Sequence, residues 1–577
     1  MTKKKSCSGL RAKLLMSGVA SAALAGASYG QAQGTSPSQQ PPGEVAGEMQ
    51  SDTVLSLPQV RGLMAPPGAE NSRFVVGGIV LEGGQPELNA RALEAAPKSG
   101  ATVTVADLFE FAGHVQQLYF EAGYPLVRVA VPAQDIQLNG GDVRLLIVDG
   151  YIDHIDSSAL PDKVARQVEK MLSPLVGEQM VTADELERRI LLAGDTKGLR
   201  LRTALTPGAE IGATTLVVTG EHQALNAVVS IDNRVIEDVG REQITFSAAA
   251  NSVLGAGEQV VVTAATALDD PGFGSTALRS YLGVSASAPV GVDGWSVGFQ
   301  ALQASNAPDP VEAGVQFKSD FFRTGINASY ALERTRKKST TVSLGFDASF
   351  EEQNVELLAN EVPLFSDRTR AVRAGLSGYR SLSSPGTLSY DVQFSQGIDG
   401  LGARGASEAS VLRPLSREGA DADFTKLNIG ATALKKVSEQ LWVRATVKAQ
   451  SSFNEPLLRS EQTSFVSADL VSGPPSGLVT GDRMVAGRFE AQSNVRVNDL
   501  FNVQPYAAVA AGESHLEQVS QLERAHSGAA SAGLGLRSQL QLTDRALMNL
   551  QLEWASIQSK DERLDRDWLG FSVALRR

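Results

Sequence analysis

A single cysteine, five scattered histidines and no apolar run approaching 18 residues are the first facts about this 577-residue chain. Each absence removes a class of protein. The cysteine, Cys7, stands in a segment expected to be cut away on export, so the mature chain carries neither a disulfide nor a thiol nucleophile. It does not stand where a lipid-modified cysteine belongs either, because the apolar stretch follows it. Without a long apolar run there is no helical membrane span, and a closed barrel is the only integral membrane form left. His114, His154, His222, His515 and His526 have no partner His or Cys at metal-ligand spacing, which argues against a catalytic zinc. Of these, His114 lies in a predicted helix and reads as a surface residue. Glycine-containing pieces such as 251–257 and 400–405 lack the Lys-Ser/Thr of a phosphate loop, and no Gly-x-Ser-x-Gly elbow occurs. A net charge of −12 gives no support to nucleic-acid binding. The carboxylate pairs Glu351-Glu352, Asp269-Asp270 and Asp421/Asp423 read as solvated turn charge. No catalytic, cofactor-binding or metal-ligating residue is expected, and the chain does not read as an enzyme.

What the chain has in plenty is two-residue alternation. Leu388, Tyr390, Val392 and Phe394 alternate with Ser389, Asp391, Gln393 and Ser395, giving one apolar and one wet face. The period recurs in Val342/Leu344/Phe346/Ala348/Phe350, in Leu441/Val443/Ala445/Val447 against Trp442/Arg444/Thr446/Lys448, and in Met548/Leu550/Leu552/Trp554 against Asn549/Gln551/Glu553. A dry sandwich core holds Arg444, Lys448 and Glu553 only at a cost of several kcal/mol or with paired partners, whereas a water-filled lumen holds them freely. Fifty-five glycines supply the turns. From Gln223 to Arg577, units of about 22 residues give about 16 strands, which lies in the range of outer-membrane barrels.

The N-terminal part reads differently. Residues 1–32 have the form of a secretory signal: Lys3, Lys4, Lys5, Arg11 and Lys13, then an apolar stretch from Leu14 to Ala27, then Gly30-Gln31-Ala32 as a cleavage site. Residues 33–72 are rich in Pro, Gly, Ser and Gln and read as a linker, with a short helix conceivable over 44–52. Residues 73–150 and 151–222 then repeat the order β-α-α-β-β. Even the helix entry recurs, since Thr104-Val-Ala-Asp107 and Thr182-Ala-Asp-Glu185 both place a capping hydroxyl three residues ahead of a carboxylate. An α/β module with an open sheet edge takes an extended peptide as an added strand; a spacer role is the plainer alternative.

Gly123-Tyr-Pro-Leu-Val-Arg-Val-Ala-Val-Pro-Ala-Gln134 followed by Gly141-Asp-Val-Arg-Leu-Leu-Ile-Val-Asp-Gly-Tyr151 resembles the end of the first POTRA domain of two-partner secretion transporters, the haemolysin and filamentous-haemagglutinin exporters of the Omp85 superfamily. Ile231-Asp-Asn233 with Asn251-Ser-Val-Leu-Gly-Ala-Gly-Glu258 resembles the family's first barrel strands, and Leu458-Arg-Ser-Glu-Gln462 the entry to its sixth extracellular loop. The resemblance implies an all-β transmembrane barrel of 16 antiparallel strands over 223–577, preceded by two small α/β POTRA domains in the periplasm, and makes residues 33–72 a plug-helix region as the alternative to a plain linker. It further implies export, without nucleotide or other cofactor, of a large secreted β-helical protein that carries an N-terminal secretion domain, by a monomer seated in outer-membrane lipid. Two alternatives stay open: a passive diffusion porin with periplasmic domains, and an assembly factor for other outer-membrane proteins.

Three departures from the family pattern matter. The resemblance places a Val-Arg-Gly-aromatic motif in the sixth loop, with its arginine meeting the aspartate of a Phe-x-Asp motif on a barrel strand. Spacing puts Val471, Ser472, Gly473 and Pro474 at the first motif, so Ser472 replaces the arginine; Ala508 and Ala510 stand at the second. Losing both charges is closer to neutral than losing one, and Asp482 and Arg483 are the expected alternative anchors of the loop. The third departure is at the end of the chain. Trp568, Leu569, Phe571, Val573 and Leu575 fit an outward-facing closing strand, yet Arg576-Arg577 follow where such barrels usually end in an aromatic residue.

Overall fold

The computed structural model describes residues 44–46, 53–56, 65–137, 139–210, 212–235, 239–309, 315–357, 360–383, 385–473, 479–518, 523–562 and 564–577. The expected signal peptide, most of the expected linker, most of the conceivable helix over 44–52, and Pro474 lie outside the described residues.

A three-residue strand, β1 (Val54–Ser56), precedes the first α/β module: β2 (Arg73–Glu82), α1 (Pro86–Leu93), β3 (Thr102–Thr104), α2 (Val105–Glu121), β4 (Arg128–Ala130) and β5 (Asn139–Val148). Its sheet runs β3-β2-β5-β4. Leu108, Phe111, Val115 and Tyr119 recur at helical spacing on α2 and bury against Phe74, Val76, Val143 and Leu145 of the sheet. The helix starts where the sequence says it should, because Thr104 Oγ1 accepts from the Asp107 N–H at 3.1 Å while the Asp107 carboxylate accepts from the Thr104 N–H at 2.7 Å. That backbone donor, followed by the Thr104 hydroxyl, holds the Asp107 carboxyl below the usual aspartate range.

The second module follows the expected order: β6 (Tyr151–Ala159), α3 (Asp162–Leu172), α4 (Ala183–Gly194), β7 (Leu199–Pro207) and β8 (Ala213–His222). Thr182 caps α4 by accepting from the Glu185 N–H at 3.2 Å. Two expectations need correction. The first module carries a strand beyond the expected order, β3, and the fourth strand, β4, is only three residues long. The reason is local: Pro132 has no N–H to donate, and beyond it the Gln134 side chain takes the place of a strand, bonding the Arg144 carbonyl at 2.8 Å and the Arg144 N–H at 2.9 Å. The second sheet also lacks one of its expected open edges. Its order is β1-β7-β8-β6, so β1 pairs in parallel along the edge of β7, Val54 opposite Arg202 and Ser56 opposite Ala204.

Strands β9 (Leu225–Asp232) to β25 (Asp567–Arg576) form the barrel. All pairings are antiparallel between sequence neighbours, and β25 returns to β9 through five residue pairs, from Ser572 opposite Asp232 to Arg576 opposite Val228. The Asn233 side chain lengthens this seam, donating to the Leu569 carbonyl and accepting from the Phe571 N–H, both at 2.8 Å. The two-residue strand β21 (Val495–Arg496) continues β20 (Arg483–Ser493), and both pair with β22 (Phe501–His515), which makes 16 strands. Alternation holds as expected: on β15 (Lys338–Leu357), Leu344 is 60% exposed on the outside whereas Asp347 is 5% exposed inside.

Two details differ from the sequence reading. Glu351 and Glu352 fall inside β15 rather than in a turn, because β14 (Val315–Arg334), β15 and β16 (Asn360–Ser381) run for 20, 20 and 22 residues. A tilted crossing needs only about 9–11 residues, so these strands project beyond the apolar band on the side away from the α/β modules. Loop 398–424 lies along projecting β16: Arg404 N–H donates to the Arg368 carbonyl at 2.9 Å, Ile398 N–H to Arg370 at 2.8 Å and Ser366 N–H to the Pro414 carbonyl at 3.1 Å. The second detail is Trp568, which shares the luminal face of β25 with Gly570, Ala574 and Arg576, while Leu569, Phe571, Val573 and Leu575 take the outer face. Helix α4 clamps the second module to the barrel. Arg188 donates to the Asp293 and Ala331 carbonyls at 3.0 and 2.8 Å, Arg189 meets the Asp293 carboxylate at 2.8 Å, and Arg334 meets Asp195 at 2.6 Å.

Replacing Thr104 by Ala is expected to cost about 1 kcal/mol at the start of α2. In the full chain this appears as amide hydrogen exchange over 106–110 faster by about fivefold, with exchange in α4 unchanged.

Candidate functional site in the barrel lumen

Between β19 (Leu441–Ser451) and β20, the described residues of loop 452–482, namely 452–473 and 479–482, fold into the barrel and are fastened at three places. The first is Glu461. Its carboxylate meets Arg323 of β14 at 3.1 Å, Arg373 of β16 at 2.9 Å and Lys426 of β18 (Thr425–Lys436) at 2.7 Å. Arg373 also pairs with Asp347. Three cations thus share two carboxylates in a nearly closed space, and the loop supplies one of the two.

The second fastening is the expected motif position. The strand period turns Arg488 and Glu490 of β20, Tyr506 of β22, Arg537 of β23 (His526–Thr543) and Glu553 of β24 (Ala546–Ser559) inward. Arg488 Nε donates to Glu490 at 3.0 Å, and its Nη2 to Glu553 at 3.0 Å. Its remaining nitrogen, Nη1, reaches the loop, donating to the Leu470 carbonyl at 3.2 Å and to the Ser472 hydroxyl, which in turn donates to the Glu553 carboxylate. Tyr506 donates to the other Glu553 oxygen at 2.8 Å, and Arg537 binds Glu490 through two nitrogens at 2.9 and 3.0 Å while lying 4.0 Å from the Tyr506 ring centre. Phe465, Val466, Leu470 and Val471 of the loop bury against Met484, Ala486 and Ala510. Gly512 belongs to the same contact, since a Cβ there would come within 2.8 Å of Phe465.

The third is Asp482, fully buried. Arg417 of loop 398–424 grips its carboxylate at 2.9 and 3.0 Å, and it accepts from the Leu457 N–H at 3.0 Å, the Gln462 amide at 3.0 Å and the Glu517 N–H at 2.7 Å. Five bonds to three loops make it the knot at the barrel mouth. Arg483 stands at the rim, paired with Glu517 at 2.7 Å and 41% exposed.

The structure therefore brings Val471, Ser472, Gly473 and Ala510 into one luminal region, with Ala508 on the same strand face, whereas Asp482 fastens the loop at the barrel mouth through a different set of partners. Sequence reasoning missed Glu461, Arg417, Arg488, Glu490, Tyr506 and Arg537. For Arg488 and Glu490 a signal existed: they alternate with Val485, Gly487 and Phe489 as Arg444 does with Val443 and Ala445. Among the described residues no group of His, Cys, Asp and Glu is placed to hold a metal ion.

Residues 212–538 match the family of haemolysin secretion/activation proteins ShlB/FhaC/HecB, and residues 74–150 match the ShlB-type POTRA domain. The chain belongs to the ShlB/FhaC/HecB family. Within the curated relatives, the heme/hemopexin transporter protein HuxB of Haemophilus influenzae (strain 86-028NP) is 24% identical over 165 residues, which is 28% of this chain and 28% of the length of that relative. Solved structures share the fold of this ShlB/FhaC/HecB member: CdiB from Escherichia coli superposes with a TM-score of 0.68 at 17% identity, over 89% of this chain and 92% of that one. CdiB from Acinetobacter baumannii gives 0.58 at 17% identity, over 92% and 95%.

Glu461→Gln removes one of the two carboxylates that Arg323, Arg373 and Lys426 share. Breaking a buried ion pair from one side costs about 3–5 kcal/mol, so the barrel in detergent is expected to lose its heat-resistant compact form on gels at a clearly lower temperature. Glu461→Asp keeps the charge and is expected to recover part of the difference.

Proposed function

We propose that this chain is an outer-membrane transporter which recognises one large partner protein with its POTRA modules, held in the periplasm, and passes it outward through the barrel. The observation that carries this reading is the family match across the barrel together with a ShlB-type POTRA domain ahead of it. The same match favours export over the passive porin and over the assembly factor.

The chemistry agrees with a protein substrate in extended form. A chain without fixed structure offers backbone N–H and C=O groups, and a sheet edge is the surface that reads them. In the second module the β7 edge carries the chain's own β1 over three residue pairs, so an incoming segment either displaces β1 or uses β6 or the edges of the first sheet. Further in, the lumen offers guanidinium, carboxylate and hydroxyl groups to a hydrated polypeptide. The partner is a large secreted β-helical protein with an N-terminal secretion domain, and the transporter works as a monomer in outer-membrane lipid without a nucleotide or other cofactor.

The experiment is a comparison of culture medium and cell-surface protein, by mass spectrometry, between cells with and without the gene. Loss of one large protein, regained on complementation, is expected; an unchanged set of exported proteins overturns the reading. Deleting residues 73–222 is expected to abolish export of that protein while the barrel still reaches the membrane.

A further inference from the structure

We infer that the sixth loop of this chain is held by a latch of transposed polarity: the cation belongs to the barrel wall, as Arg488, and the loop meets it with uncharged groups, the Ser472 hydroxyl and the Leu470 carbonyl. The inference deepens the export reading, because it concerns what releases the loop from the path.

The geometry is specific. Arg488 is 4% exposed, and all three of its nitrogens are used. Nε and Nη2 are spent on Glu490 and Glu553, both on the wall, and Nη1 is aimed at the loop. The planar fork of a guanidinium suits this division, since its donors point along fixed and separate directions. Ser472 is not a neutral remnant of a lost arginine. Its hydroxyl sits between Arg488 and Glu553, accepting from one and donating to the other, which uses both sides of its hydrogen-bonding capacity. Ala510, where the resemblance places an acid, has joined the apolar cluster around Phe465 and Leu470, and an aspartate there would bury a charge beside them.

The transposition changes what leaves with the loop. In the pattern implied by the resemblance, withdrawing the loop strips an arginine from its carboxylate. Here Arg488 keeps Glu490 and Glu553 when the tip departs, so the tip breaks no ion pair with Arg488; the charge that leaves with it is Asp469, which faces Arg444, Lys448 and Arg537 of the wall. The wall pair is complete with or without the loop, and the loop adds to it.

The test uses the full-length protein, free of Cys7, with Val466→Cys as a reporter. Val466 is buried in the loop cluster, so its reaction with a soluble maleimide measures how often the tip leaves; conductance in planar bilayers is read in parallel. Ser472→Ala is expected to speed labelling by at least fivefold. Ser472→Arg, which opposes two guanidinium groups, is expected to speed it at least tenfold and to raise mean conductance. The double variant Ser472→Arg with Arg488→Ser restores attraction with the carboxylates in place and is expected to return labelling to within threefold of the parent. Failure of that rescue, with both variants shown to be folded by heat-modifiable mobility, overturns the inference. If the double variant does not fold, Ser472→Ala decides alone, and an unchanged labelling rate overturns it. None of these readings depends on a partner protein, so an unchanged secretome refutes export without touching the latch.

Discussion

The closed ladder of backbone hydrogen bonds is the constraint from which the rest of this structure follows. Hydrocarbon offers no partner to a bare N–H or C=O, so a sheet that enters lipid must have no edge. Here the last strand returns to the first over only five residue pairs, and Asn233 adds two side-chain bonds to the seam. Closure then dictates the chemistry of the interior. With successive side chains pointing to opposite faces, half of each strand is sent inward, and only there can Arg323, Arg373, Arg488, Glu490 and Glu553 reside.

Those interior charges are not distributed at random along the wall. Arg488 lies between two glutamates, Arg537 takes up the second face of Glu490, and Glu461 balances three cations, of which only Arg323 and Arg373 also meet Asp347. Strands far apart in sequence, from β14 to β24, are thereby tied across the lumen to a single loop. The loop is as much a part of the electrostatic balance of the barrel as the strands are, which gives a physical reason for its residence inside.

Most of this architecture is legible in the sequence because period-two alternation survives on nearly every strand, as Val447 against Thr446 and Leu552 against Glu553 illustrate. It fails where two apolar residues are adjacent. Trp568 and Leu569 look alike to a hydropathy rule, and only the pleat assigns the first to the lumen and the second to the outside. Strand length is also poorly written: nothing in Glu351-Glu352 distinguishes a turn from a strand that projects past the membrane. At the site, the spacing that singles out Ser472 does not say where the loop lies; in the structure Ser472 is buried against Arg488 and Glu553, and Asp482 is buried whereas Arg483 stands at the rim. The residues that surround Ser472 come from β20, β22, β23 and β24, and no spacing within one strand announces that four strands will aim their charges at one hydroxyl.

The projecting strands carry a consequence at the exit. Beyond the apolar band β16 outruns β17 (Gly386–Gly397), which ends opposite Ala371, and a strand that outruns its neighbour presents a row of unsatisfied backbone groups. Loop 398–424 covers that row through Arg404, Pro414 and Ile398. The loop acts as a guard rail: with that row covered, this stretch of the rim offers no bare edge for another strand to pair with.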